Sequence, residues 1–332
     1  MRLLVYEFIT GGGLIGAPIP RTLLREGAMM RDALLADLTG LPGIALSLTR
    51  DARCTWPPTE MPVHRIEPND GEAGIALYRR ALTDVDAVWP IAPESDQALQ
   101  RLELIARSAG KKVMLSDAAT LALCASKFET ARALNSARVN VVPTYRTPGE
   151  LFGHRGKFVS KPDAGSGGAG IRLWRNSSAA FQALSAQSQS PQVFQPWCDG
   201  ESLSLSLLCA DGVASLLSIN RQHIAWQDDC VMLQGITVNA YRRDAANFQA
   251  LSRQIAQALP GLWGYIGVDL IRAKDGALTV LEINPRLTTS YCGLCDAVGI
   301  NVAELLLSRE SLALGDRVID RAVYLDLKIA DV

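Results

Sequence analysis

The stretch GYIGVDLIRAKDGALTVLEINPR, residues 264–286, constrains this chain more than any other. Two β-rich runs flank Asp275 and Gly276, a pair favoured in two-residue hairpin turns. Centring the turn there puts Asp269 directly opposite Glu282, with Asn284 two residues on and therefore on the same face. Val268, Leu270, Leu281 and Ile283 form the other face. That apolar set makes a one-residue slip costly, because a slip exchanges the buried and exposed sides. Opposed carboxylates repel by roughly 0.2 to 1 kcal/mol even when solvated. They are either a solvated acidic face, neutralised by Arg286 or a lysine, or the walls of a cation site. The apolar opposite face favours the cation site. An all-oxygen set of Asp269, Glu282 and Asn284 suits Mg2+, which takes one or two carboxylates and completes its shell with water and substrate phosphate. Arg286 continues the same-face series and can hold a phosphate or carboxylate oxygen.

A second stretch, FVSKPDAGSGGAGIRLW at 158–174, points to the same chemistry. Its glycines and Ser166 can turn several backbone N–H groups into one concavity, a nest for anionic oxygens, and Lys161 adds charge at its edge. The flanks read as strands, so this is a hairpin loop and not the strand-to-helix turn of a P-loop; no G-x-x-x-x-G-K-[ST] occurs. A plain flexible turn is the alternative for the loop taken by itself.

Residues 1–117 alternate short apolar runs (RLLVYEF, GIALSL, VHRI, DAVWPIA, KVMLS) with helical patterns at 21–38, 71–82 and 95–109. Such alternation predicts a parallel sheet covered on both faces, with ligands in the crevice beyond the carboxyl ends of its strands. Those ends carry Glu7 with Gly11, Gly12 and Gly13, and Pro93, Glu94, Ser95 and Asp96, which makes both segments substrate-site candidates. GGGLIG at 11–16 imitates a dinucleotide fingerprint. Pro18 and Pro20 would break the helix that motif needs, however, and the acidic residue expected about 20 positions on is out of place, since the second strand ends near Asp51. From about 118 the texture is α+β, with helices over 118–137, then strands, then helices near 244–258 and 296–308.

The chain has 332 residues, 48% of them hydrophobic, enough for two or three domains. We divide it into 1–117, 118–190 and 191–332. With 33 Lys and Arg against 34 Asp and Glu, the charge is too balanced for sequence-independent nucleic-acid binding. No apolar run reaches the ~18 residues of a membrane span, and Glu7 interrupts the only leader-like segment. The expectation is a soluble, cytoplasmic protein. Seven cysteines without an export signal read as free thiols; Cys292 and Cys295 have redox or metal spacing but no second pair or nearby histidine. The stripe RTLLREGAMMRDALL reads as core, and leaves a homodimer open.

Taken in order, these pieces resemble the ATP-grasp superfamily of carboxylate-amine ligases over nearly the whole chain. The resemblance implies an N-terminal parallel-sheet domain, a small lid and a C-terminal mixed-sheet domain, α/β followed by α+β. It implies that Lys127 of SKFETARAL and Lys161 contact ATP phosphates under a loop containing Ser166, Gly167 and Gly168. VFQPWCDGES resembles the adenine hinge, with the backbone of Gln195, Trp197 and Cys198 against the base and Glu201 on the ribose. Asp269, Glu282 and Asn284 would hold one or two Mg2+ ions, or Mn2+ in their place. Lys161, Arg221 and Arg286 would serve the reacting groups. VYEFITGGG and the run from APESDQALQ to SKFETA look most like the tyramine-glutamate ligase group of methanofuran-type cofactor biosynthesis. That likeness implies small-molecule substrates, glutamate and tyramine or tyrosine. The rival expectations are a nucleotide-binding regulator and a nicotinamide oxidoreductase built on GGGLIG.

Overall fold

The computed structural model describes residues 1–57, 62–151, 153–165, 168, 170–185, 191–227, 229–241, 245–308 and 319–328. The first part of the chain follows its hydrophobic pattern closely. Strand β1 (Arg2–Glu7) leads through helix α1 (Arg21–Leu38) to β2 (Ala45–Thr49) and β3 (Val63–Ile66). Helix α2 (Gly74–Ala81), β4 (Ala87–Ile91), α3 (Ala98–Ser108) and β5 (Lys112–Val113) follow. The five strands are all parallel, in the order β3-β2-β1-β4-β5. β4 is buried along its whole length, as a strand covered on both faces must be.

The strand order reverses between β1 and β4, so the loops leaving their carboxyl ends diverge and open a crevice. Residues 11–16 form turns, and the helix begins only at Arg21, directly after Pro20, as the two prolines require. The helix expected from residue 95 starts late. Asp96 and Gln97 have φ of 53° and 56°, left-handed backbone that breaks the segment ahead of Ala98.

Helices α4 (Ala118–Ala125) and α5 (Lys127–Ser136) cross to a second, larger sheet. It is built from β6 (Phe158–Pro162), β7 (Arg172–Trp174), β8 (Gln192–Pro196), β9 (Glu201–Ala210), β10 (Val213–Gln227) and β11 (Cys230–Val238), with α6 (Ser177–Ser185) between β7 and β8. After α7 (Ala245–Ala258) come β12 (Gly264–Arg272) and β13 (Leu278–Asn284), and later β14 (Val323–Asp326). The order is β13-β12-β9-β10-β11-β7-β6-β8, with β14 beside β11, and every pairing is antiparallel. One residue pair, Cys230 with Arg172, joins the β6-β7-β8 part to the rest.

Packing divides the chain differently from the boundaries at 117 and 190. Cys124, Leu134 and Val139 pack with β9, α7 and β12, whereas Phe158, Ala180, Leu184 and Phe194 make a small core of their own with Leu151. The helix expected over 296–308 is also divided. A 3-10 turn (Thr289–Gly293) leads into α8 (Leu294–Val298), Gly299 turns left-handed at φ 69°, and α9 (Val302–Ser308) follows. Leu287, Tyr291, Leu294 and Val302 join Leu3, Val5 and Leu34 in one core, so the two sheets share buried surface. The α1 stripe is core, with Met30, Leu34, Leu35 and Leu38 buried. No single helix among the described residues is long and apolar enough to cross a membrane.

The hairpin at 264–286 corrects the two-residue turn. Ala273 and Ala277 close a three-residue loop of Lys274, Asp275 and Gly276, with Ala273 N–H donating to Ala277 O at 2.9 Å and Gly276 at φ 87°. That extra residue is cancelled by a bulge after Asp269, where Leu270 pairs with Val280 and Leu281 is the unopposed residue. Asp269 therefore still faces Glu282, and Gly267 faces Asn284. Leu281 leaves the apolar face and Val280 takes its place in the core.

Candidate functional site

A cavity of about 230 Å3 lies between the crevice of the parallel sheet and the upper face of the β12-β13 hairpin. On the hairpin side it is lined by Asp269, Leu281, Glu282, Asn284 and Arg286, and on the crevice side by Glu7, Ile9, Glu26, Ile91 and Pro93. Gly168 and Ile171 close it from the glycine-loop hairpin.

Two lysines distant in sequence meet one carboxylate here. Lys127 is the first residue of α5, whose start is capped by the Ser126 hydroxyl accepting from Glu129 N–H. Asp163, two residues beyond Lys161, ties that helix start to β6. Its carboxylate accepts from Phe128 N–H at 2.9 Å and from the Ser126 hydroxyl at 2.9 Å, its carbonyl accepts from Lys127 N–H, and Arg146 pairs with it. The clamp brings Lys127 Nζ to 3.4 Å and Lys161 Nζ to 3.5 Å of Glu282 Oε2. Lys127 Nζ also donates to Gly165 O at 2.9 Å, at the edge of the glycine loop. Both lysines are buried.

Asp269 accepts from Gln222 Nε2 at 2.7 Å and Asn284 Nδ2 at 3.0 Å. Burial, and then the Glu282 charge opposite, push its carboxyl up to about 7. Burial would raise Glu282 as well, but the Lys127 and Lys161 ammoniums overcome it and hold it down at about 2. Burial pulls the Lys161 ammonium down, against the pull of Glu282. A carboxylate pair so divided retains a proton near neutrality, and a divalent cation relieves the same repulsion. With the Asn284 carbonyl the donor set is all oxygen, which fits Mg2+. Among the described residues there is no cluster of three or more His, Cys, Asp or Glu side chains that could hold a metal ion, so the two carboxylates depend on the Asn284 carbonyl and on substrate oxygens to complete a cation's shell. All seven cysteines are free.

Arg286 is turned by Pro285 toward the first sheet. Its Nε and terminal nitrogen donate to the two oxygens of Glu94 at 2.8 and 2.7 Å, and its other nitrogen donates to Leu287 O at 3.0 Å. Glu94, expected to meet substrate, is thus the counter-ion that orients Arg286 at the cavity wall.

Other expected residues lie elsewhere. Alternation along β10 points Gln222 into the cavity, whereas Arg221 sits in an open depression with its Nε 3.1 Å from Glu201. Glu201 also pairs with Arg272 at 2.6 Å and accepts from the Tyr241 hydroxyl. Gln195 lies within β8 and Trp197 and Cys198 just after it, outside the cavity lining. There Trp197 N–H donates to Lys157 O at 2.9 Å and Gln195 Nε2 to the Thr144 hydroxyl at 3.0 Å. Gly11, Gly12 and Gly13 are turned into packing and do not line the cavity: a Cβ at Gly13 would stand 2.3 Å from the Phe8 ring, and one at Gly74 2.0 Å from Gly12 O. Glu7 reaches the wall, but its carboxylate is filled by Ile9 N–H, Thr10 N–H and the Thr10 hydroxyl. Ser95 opens a short turn outside the lining. Ser166 and Gly167 lie outside the described residues.

Sequence reasoning passed over Gln222, Glu26 and Thr289. The signal for Gln222 was its strand parity beside Arg221, and for Glu26 a carboxylate bordering the apolar stripe of an otherwise core helix.

Comparison with known proteins places this geometry. Residues 124–290 match the family model described as an ATP-grasp domain, and residues 44–121 match a pre ATP-grasp domain. The tyramine–L-glutamate ligase of Methanocaldococcus jannaschii is 26% identical over 308 residues, covering 92% of this chain and 88% of that one. Among solved structures, a protein placed in the ATP-grasp superfamily from Archaeoglobus fulgidus aligns with TM-score 0.72 at 23% identity, over 98% of this chain and 92% of that one. The L-amino acid ligase of Bacillus licheniformis aligns with TM-score 0.64 at 18% identity, over 92% and 73%.

Proposed function

Because this chain belongs to the ATP-grasp family, we propose that it is an ATP- and Mg2+-dependent carboxylate-amine ligase joining the γ-carboxylate of glutamate to the amine of tyramine or a close relative. The observation that carries the reading is the convergence of Lys127 and Lys161 on Glu282 beside Asp269 and Asn284, at the mouth of a cavity running to Arg286. The tyramine–L-glutamate ligase relative supports the choice of substrates.

The chemistry asks for no protein nucleophile. A substrate carboxylate attacks the γ-phosphorus of ATP and ADP departs; the amine then attacks the acyl carbon, and phosphate leaves with the C–O electron pair. Asp269, Glu282 and Asn284 would hold Mg2+, which when bound supplies positive charge to the phosphate oxygens. The chain's own part is positioning and charge. Lys127 and Lys161 arrive from two elements clamped together by Asp163, so their ammoniums stand ready for phosphoryl oxygens before substrate enters. Arg286, fixed by Glu94, offers its remaining face to the acid. Gly168 and Ile171 cover the cavity and keep water from a reactive acyl phosphate.

The test is phosphate release from ATP and Mg2+ with glutamate plus tyramine, tyrosine or other amines singly, with products identified by mass. Amine-dependent release with the mass of a γ-glutamyl amide is the expected result. Silence with every pair, alongside thermal stabilisation by ATP and Mg2+, would remove the substrate assignment.

A further inference from the structure

Among the described residues four acidic side chains line the cavity, and three of them are already satisfied. Glu282 has its two lysines, Asp269 has Gln222 and Asn284, and Glu7 is saturated by its own turn. Glu26 differs. It accepts one hydrogen bond, from the Thr289 hydroxyl at 3.0 Å, and no lysine or arginine among the described residues stands within ion-pair distance.

Its surroundings are apolar. Leu23, Gly27 and Met30 share its wall at helical spacing, and Ile9 and Ile91 line the same side from the ends of the parallel strands. Gly27 makes room for the Glu7 carboxylate, since a Cβ there would stand 2.6 Å from Glu7 Oε1. Among the described residues the cations lining the cavity are Lys161, on β6, and Arg286, just beyond β13, and both are paired. Thr289, which holds Glu26, stands three residues beyond Arg286, and Glu26 and Arg286 line the same cavity as Asp269 and Glu282. A carboxylate held at Arg286 therefore shares one cavity with the phosphate-side carboxylates and with Glu26. The Glu26 end offers an anionic acceptor in an apolar frame, with no unpaired cation for a second carboxylate.

Resting on the ligase reading above, we propose that Glu26 receives the amine of the nucleophile, and that the wall around it selects a primary amine with an apolar body and no carboxylate on the amine-bearing carbon. The ammonium docks on the carboxylate. Transfer of one ammonium proton to Glu26 frees the nitrogen lone pair; as that pair attacks the acyl carbon, the C–N bond forms, the acyl C–O bond breaks with phosphate taking the pair, and the nitrogen's second proton leaves on the phosphate. Burial raises the Glu26 carboxyl, opposed by the Thr289 hydrogen bond and by Arg286, which makes it a better proton acceptor than an exposed carboxylate.

The experiment uses full-length wild type, Glu26→Gln and Glu26→Asp with ATP, Mg2+ and glutamate, varying tyramine, tyrosine and, in a parallel arm, hydroxylamine. Uncharged hydroxylamine intercepts the acyl phosphate as a hydroxamate without an ammonium site. Glu26→Gln should raise the KM for tyramine on the order of 10- to 100-fold, the worth of one charged hydrogen bond, with Glu26→Asp recovering part of it. The KM values for glutamate and ATP and the rate of hydroxamate formation should stay within about twofold, and wild type should prefer tyramine to tyrosine. An unchanged amine KM in Glu26→Gln would overturn the assignment. So would a raised glutamate KM, which would give Glu26 to the acid's own ammonium, or a preference for tyrosine. If wild type forms neither hydroxamate nor phosphate with any acid, the ligase reading itself fails and takes this one with it.

Discussion

Replacing Glu94 with leucine should destabilise the protein far more than replacing Glu94 and Arg286 together. The pair is bidentate, at 2.8 and 2.7 Å, with the side chains only 5% and 9% exposed. Removing one partner strands a buried charge, which costs about 3–5 kcal/mol. Unfolding entropy of about 2.1 cal/mol/K per residue gives roughly 0.7 kcal/mol/K for a chain of this length, so Glu94→Leu should lower Tm by about 4–7 °C. Arg286→Met should do the same. In the double variant two apolar side chains of similar volume meet where two ions met, and most of the loss should be recovered. The four proteins are compared by calorimetry and urea unfolding at one pH. Because the two sheets share a core containing Leu3, Leu34, Leu287 and Tyr291, a single transition is expected. The reasoning is refuted if the single changes add to the double within about 0.5 kcal/mol, the behaviour of uncoupled sites.

Two further outcomes follow from contacts beside the site. Gln222→Leu removes the 2.7 Å hydrogen bond that orients Asp269, and should raise the Mg2+ concentration for half-maximal turnover by about 10- to 100-fold without moving the amine KM; titrating Mg2+ at saturating substrates checks this. Gly74→Ala forces a Cβ to within 2.0 Å of Gly12 O, a backbone atom that cannot swing aside, and should cost about 1–3 kcal/mol in urea unfolding while the turnover of folded enzyme is preserved.

The Asp269–Glu282 pairing was legible for an instructive reason. The hairpin loop has three residues where Asp-Gly reads as two, and the bulge at Leu281 restores the register. Centring a two-residue turn on Asp275 and Gly276 named the right partners because the two departures cancel, whereas the three-residue loop without the bulge would have set Asp269 opposite Leu281. The bulge had a further effect that no pattern announced, since it moved Leu281 from the core to the cavity wall. The first-sheet glycines show the opposite case. Their freedom was visible in the sequence, but whether it served a ligand or close packing depended on Phe8 and Gly74 arriving beside them.

What the sequence by itself determined is what partition between water and core writes into local spacing: the five strands and three helices of the parallel sheet, the antiparallel hairpins around the glycine loop and at 264–284, and the shared face of Asp269, Glu282 and Asn284. What only the tertiary structure decided is which charges neutralise one another and which are left for a ligand. Glu94 and Arg286 are 192 residues apart, Glu26 and Thr289 are 263 apart, and Lys127 and Lys161 meet through Asp163. Coulomb and hydrogen-bond energies depend on separation in space, which the packing of the two sheets sets. A carboxylate in a chain therefore carries no mark of whether it will orient an arginine, as Glu94 does, or face the cavity with a single hydroxyl for company, as Glu26 does.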